Sequence, residues 1–203
     1  MTEEEDERQF VERLRRRDEA AFNRFVREHQ DRVYRLVVRM LGDRDEALDV
    51  TQDVFVSVFK SIDTFRGESR LSTWLYRVAV NHCRNRIKYM DRRGRGASTR
   101  FEDGRDGATG ATGAGVRAGG FGRPDEAAEA GQLQRIVREA MDELDEEHRT
   151  LLVLRDVEDL SYEEIGAITG LVEGTVKSRL HRARAALLRR VRQRMGEEGS
   201  DDE

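Results

Sequence analysis

A chain of 203 residues with 38% charged and 37% hydrophobic side chains can bury one compact core or two small ones inside a densely charged surface. Its single cysteine, Cys83, excludes an internal disulfide framework and a multi-cysteine metal site. No apolar run is long enough to cross a bilayer, so direct membrane insertion is not expected. The formal net charge of -4 argues against nucleic acid as a partner only until the charges are followed along the chain, where they are sorted.

The opening MTEEEDERQF lacks the features of a signal peptide, and a cytoplasmic location is expected. Residues 1–18 read as an acidic, flexible, solubilising terminus. A first domain spans 19–93. In it Phe22, Phe25, Val26, Val33, Leu36, Val37 and Met40 recur at helical spacing, and Gly42 ends the run. A second helix carries Leu48, Phe55 and Phe59 together with Val54, Val56 and Val58. A third, from about 72 to 89, carries Trp74, Leu75, Val78 and Cys83. All these apolar side chains are read as core, Cys83 included. Charge changes sign between the last two helices: residues 43–53 hold five acids and one base, whereas 77–95 hold seven bases and one acid.

Residues 94–123 contain ten glycines in thirty positions, too little apolar surface to offset the entropy of ordering, and 94–126 reads as a flexible linker. The only proline, Pro124, marks where helical patterning resumes. A second domain over 127–195 has helical patterns near 129–144, 146–155, 161–169 and 173–193, and an acidic, disordered tail is expected over 196–203. The fold class is therefore all-α: two small helical domains on a Gly-rich tether.

Within the second domain, Ser161 and Glu164 have capping-box spacing, and Gly170 can end the short helix that follows. Three residues later begins a longer helix in which Val176, Leu180, Ala183 and Leu187 line one side and Lys177, Ser178, His181 and Arg182 the other. From Gly174 to Met195 there are eight Lys or Arg and no acid. Two short helices joined tightly, the second basic on its exposed side, describe a helix-turn-helix. Lys and Arg can donate to guanine in the major groove, Thr175 lies near the helix start where a phosphate is favoured, and Arg179 and Arg184 suit flanking phosphates. His181 has no ligand-spaced histidine nearby, so no metal is expected. The paired Asp49 and Asp53 lack a nucleophile, a base or a phosphate loop, so no catalytic residue and no cofactor are expected either.

The stretches DEALDVTQDVFVSVFKSIDTFRGESRLSTWLYRVAVNHCRNRIKYMDRR and DELDEEHRTLLVLRDVEDLSYEEIGAITGLVEGTVKSRLHRARAAL resemble the second and fourth regions of the extracytoplasmic-function sigma factors of bacterial RNA polymerase. The resemblance implies a non-catalytic initiation factor whose second region docks on the clamp coiled coil of core polymerase and captures the melted -10 strand. Its fourth region would bind the polymerase flap and read the -35 duplex. By position, Asp49, Gln52, Asp53 and Phe55 match the polymerase-binding part. Phe65, Arg66, Ser69 and Trp74 match the loop that receives a flipped base, and Arg77, Asn81 and Asn85 the helix positions facing the -10 strand, where Lys88 suits backbone neutralisation. Lys177, Ser178, His181 and Arg182 match the base-side positions of the -35 reader, with Thr175 and Arg179 beside them as phosphate contacts. An anti-sigma factor is a further partner class implied. Departures from the family pattern are Val172 before the recognition helix, Asp159 where glycine is common, and a longer linker. A helix-turn-helix regulator acting without polymerase, or a polymerase-binding decoy, are the alternatives; each leaves part of the motif set unused.

Overall fold

The computed structural model describes residues 3–98 and 124–198, in which no strand occurs. Eight α-helices follow in chain order: α1 (Glu3–Arg15), α2 (Glu19–Leu41), α3 (Arg44–Ser61), α4 (Leu71–Ser98), α5 (Pro124–Asp142), α6 (Glu146–Leu152), α7 (Tyr162–Thr169) and α8 (Glu173–Glu198). A 3-10 turn (Ile62–Thr64) follows α3, and a π turn (Val153–Val157) extends α6.

Local chemistry sets most boundaries. The Asp18 carboxylate accepts from the Ala21 N–H to start α2, and Gly42, at φ 77°, ends it by donating to the Val38 carbonyl. Asp43 then caps α3 by accepting from Asp45 and Glu46. On α2, Phe25, Val33, Leu36, Val37 and Met40 are buried against Ala47, Val50, Val54 and Val58 of α3 and Leu75, Ala79, Val80 and Cys83 of α4. Each large side chain so buried stabilises the unit by about 1.5–3 kcal/mol before entropy is charged.

Three expectations need correction. The terminus expected to be flexible forms α1 over Glu3–Arg15, because Val11 and Leu14 are buried in the core and Phe10 packs against it. Leu48, Val56 and Phe59, expected in the core, are 51%, 49% and 46% exposed. The core face of α3 is instead the 47–50–54–58 stripe, whose 3–4–4 spacing leaves the 48–52–56 stripe outside. Finally, α4 continues through Gly94 and Gly96 to Ser98, α5 begins at Pro124, and α8 runs past 195 to Glu198. The remainder of the expected linker and tail lies outside the described residues.

In the second unit α8 packs on α5, α6 and α7, burying Val176, Leu180 and Ala183 against Leu151, Leu154, Ile165 and Ile168. The Ser161–Glu164 capping box is formed in both directions. Gly170, at φ 79°, donates to the Gly166 carbonyl. Gly166 itself is required by contact: a Cβ there would lie 2.8 Å from the Leu171 carbonyl oxygen. Asp159 occupies the left-handed region at φ 53°, the conformation for which glycine is the usual solution.

The two units touch. α4 packs on α7, and α2 on α6 and the π turn. Arg149 spans the junction, donating to the Met40 carbonyl at the end of α2 (2.9 Å) and to the Met141, Asp142 and Leu144 carbonyls at the end of α5. Arg84 pairs with Glu146 at 3.0 Å.

Candidate nucleic-acid and partner interfaces

Three exposed faces of distinct chemistry emerge. On α3, Asp49, Gln52 and Asp53 are all exposed, and neither aspartate is ion-paired among the described residues. Beside them run Leu48 and Val56, with Phe59 closing the stripe over Phe22 at 4.7 Å between ring centroids. Phe55 lies beneath this surface, edge-on to Phe25 at 6.0 Å. The face is thus acidic and apolar together, a combination suited to a basic protein surface with hydrophobic anchors. Reading the apolar residues as core missed Leu48, Val56 and Phe59; the four-residue spacing of Leu48, Gln52 and Val56 was the available signal.

On α4, Arg77, Asn81, Asn85 and Lys88 are exposed and fall on one face, since their spacing of four, four and three keeps them within one side of a helix. The loop between the 3-10 turn and α4 leads into this helix. Its Arg66, Gly67, Glu68 and Arg70 are exposed and Ser69 is half-buried. Phe65 and Trp74 are buried, with ring centroids 5.6 Å apart; they form the internal support of the loop rather than its outer surface. Behind the face, Ser57 Oγ and His82 Nε2, 2.8 Å apart, tie α3 to α4. Burial pushes the Cys83 thiol up to about 12, so at neutral pH it is an inert core group.

On α8, Lys177, Ser178, His181 and Arg182 are exposed and lie together on the side opposite Val176, Leu180 and Ala183. With no side-chain cap from Val172, the first amides of α8 are served by its carbonyl, which accepts from Thr175 (2.9 Å) and Val176 (3.0 Å). Thr175 is half-buried. The Glu173 carboxylate, 2.6 Å from Lys177, holds that ammonium above the usual lysine range. Arg179 and Arg184 are committed elsewhere, to Glu147 of α6 and Asp156 of the π turn. Among the described residues no group of three or more His, Cys, Asp or Glu could hold a metal ion, and no helix is long and apolar enough to cross a membrane.

Family models match both helical units. Residues 25–93 match sigma-70 region 2, and residues 134–187 match sigma-70 region 4. The chain is 34% identical over 187 residues to the RNA polymerase sigma-H factor of Pseudomonas aeruginosa, covering 92% of this chain and 94% of that one. It is likewise 34% identical over 191 residues to the ECF RNA polymerase sigma-E factor of Escherichia coli strain K12, covering 94% and 97%. The chain belongs to the extracytoplasmic-function sigma factors of the sigma-70 superfamily.

The fold agrees as well. The structure of CnrH in complex with the cytosolic domain of CnrY superposes with a TM-score of 0.61 at 23% identity, covering 89% of this chain and 94% of that one. RpoE of Bartonella quintana, solved with the anti-sigma factor NepR, gives 0.61 at 22% identity over 84% and 96%. As a sigma factor the chain is a non-catalytic protein that engages RNA polymerase and promoter DNA. The region 2 match takes in all of α3 and the faces of α4 described above, and the region 4 match takes in the helix-turn-helix; α1 lies outside both.

Proposed function

We propose that this sigma factor divides its work among the three faces. α8 enters the major groove of the -35 duplex through Lys177, Ser178, His181 and Arg182. α4, with Arg77, Asn81, Asn85 and Lys88, takes up the melted -10 strand beside the 65–71 loop, where Arg66 and Ser69 border the seat for an unstacked base. α3 docks on the polymerase clamp coiled coil through Asp49, Gln52 and Asp53, with Leu48 and Val56 as anchors, and the second unit engages the flap. The observation that carries this reading is the segregation itself: an acidic and apolar face on α3, a basic, amide-bearing face on α4, and a basic, hydroxyl-bearing face on α8.

Thr175 and Arg179 are secondary on this reading. Thr175 is half-buried with its N–H given to the Val172 carbonyl, which leaves its hydroxyl for a phosphate, and Arg179 must exchange Glu147 for one. Elements centred about 25 base pairs apart are separated by roughly 85 Å of B-form helix. Two units in contact through α4 and α7 cannot span that distance, so the promoter-bound form has this junction open. An anti-sigma factor, as a chain bridging the junction, would oppose that opening.

Paired charge reversals test the division. Lys177→Glu with Arg182→Glu abolishes protection of the -35 duplex and leaves binding to core polymerase intact. Asp49→Lys with Asp53→Lys does the converse. Promoter-specific transcription retained by the first variant, or unchanged core affinity in the second, refutes the assignment of that face.

A further inference from the structure

The 65–71 loop is held by backbone hydrogen bonds at its two ends only: among the described residues, Phe65 N–H donates to Ile62 C=O and Trp74 N–H to Arg70 C=O, each at 3.1 Å. The same two ends are also held from elsewhere in the chain. The Arg15 guanidinium of α1 donates to the Phe65 carbonyl at 2.5 Å. The Glu7 carboxylate, two turns earlier on the same helix, accepts from the Leu71 N–H at 2.9 Å.

The second contact repairs a local deficiency. Leu71 is the first residue of α4, so its N–H has no intrahelical partner. The preceding residue is Arg70, whose side chain has no acceptor with which to cap it. The cap is therefore imported from 64 residues away, and its negative charge also suits the positive end of the α4 dipole.

α1 is a firm base for both contacts. Val11 and Leu14 are buried beneath it, Glu12 steadies Arg15 at 2.6 Å, and Arg17, just past its end, pairs with Asp63 of the 3-10 turn at 2.6 Å. A cleft opens between α1 and the loop, lined by Arg8, Glu12 and Arg15 on one side and Arg66 and Ser69 on the other.

We propose that Glu7 and Arg15 are positioning residues for -10 recognition: α1 pins both ends of the 65–71 loop and thereby fixes the seat into which a base of the melted strand is drawn. This rests on the assignment of that loop to the -10 strand and adds a helix that neither family region contains. Glu7 and Arg15 act through the loop, on its selectivity more than on its charge, because a loop free at either end still presents Arg66 and Arg70 to phosphates but no fixed pocket to a base.

The test uses holoenzyme assembled from core polymerase and the full chain. Two single-stranded oligonucleotides are titrated: the non-template -10 strand of a promoter this holoenzyme transcribes, and the same strand with its bases shuffled. The readout is the ratio of their dissociation constants, which a loss of folded protein does not move because both titrations share it. Glu7→Ala and Arg15→Ala each lower the ratio by about fivefold, the equivalent of one lost helix cap. Glu7→Gln, which keeps an acceptor for the Leu71 N–H, retains it. A ratio unchanged in both alanine variants while Arg66→Ala or Ser69→Ala collapses it overturns the positioning role and leaves the loop assignment standing. A ratio near one in the unsubstituted holoenzyme overturns the loop assignment and the proposal with it.

Discussion

The Tyr76 phenol donates to the Glu158 carboxylate at 2.9 Å across the junction of the two helical units. Tyr76 is buried, and the same carboxylate, itself 6% exposed, lies 3.7 Å from Arg32 of α2. A residue of α4 and a residue just before the helix-turn-helix are thus joined in a water-poor contact that must break if the units separate.

That contact has a defined pH signature. Burial, and then the charge of Glu158, raise the Tyr76 phenol above its ordinary value near 10. The folded protein therefore favours the neutral phenol. Its contribution is complete below pH about 10 and is lost as pH climbs from there through the raised value. Tyr76→Phe should cost about 1.5–3 kcal/mol at pH 8, the worth of a hydrogen bond to a charged acceptor. The gap between variant and parent in urea unfolding should narrow above pH about 10; a gap independent of pH would mean the phenol is not the group that titrates.

Arg149 offers a stronger disruption of the same junction. Its guanidinium serves four carbonyls, three at the end of α5 and one at the end of α2. Arg149→Met keeps the stem but leaves those oxygens without their donor, and a loss of about 2 kcal/mol in thermal or urea unfolding is expected. If promoter binding parts the units, as proposed, the variant should also form open complexes at lower polymerase concentration at a temperature where it stays folded. Slower open-complex formation by folded protein would show that the junction assists initiation.

Leu48→Ala and Val56→Ala separate the observed register of α3 from the one expected from the sequence. As exposed residues they should change stability by no more than about 0.5 kcal/mol while weakening core polymerase binding by about tenfold. As core residues they would cost about 1–5 kcal/mol. Equilibrium unfolding and a polymerase pull-down titration decide between the two.

How much of this was legible depended on the range of the interaction. Gly42, the Ser161–Glu164 box and the Val176–Leu180–Ala183 stripe are local signals, and each forms where the sequence placed it. On α3, the apolar residues Leu48, Val56 and Phe59 share helical spacing just as the 47–50–54–58 stripe does, and only the position of α2 and α4 determines which set faces inward. α1 was masked by its charge, although Phe10, Val11 and Leu14 already had the spacing of a buried face. The Glu7–Leu71 and Arg15–Phe65 contacts join residues 64 and 50 positions apart, a separation at which composition and periodicity carry no information.

Gly166 was illegible for a different reason, since its partner is only five residues away, across the turn that follows α7. Nothing in its helical setting demands glycine; the demand comes from the Leu171 carbonyl folding back in the turn between α7 and α8. Gly166→Ala should destabilise the second unit by about 1–3 kcal/mol through overpacking and reduce duplex -35 binding in proportion, because the angle between α7 and α8 must change. Gel-shift titration with unchanged affinity and unchanged stability would contradict the close approach.

The proposed role of this chain is to direct polymerase to promoters through two separate DNA-reading faces. Its most direct test is in vitro transcription from a library of genomic fragments, with matching core polymerase in the presence and absence of the full chain. The expected result is a set of start sites that require the chain and share two spaced upstream elements, the distal one losing its influence in the Lys177→Glu, Arg182→Glu variant. Folded protein that binds core polymerase yet yields no chain-dependent starts would contradict it.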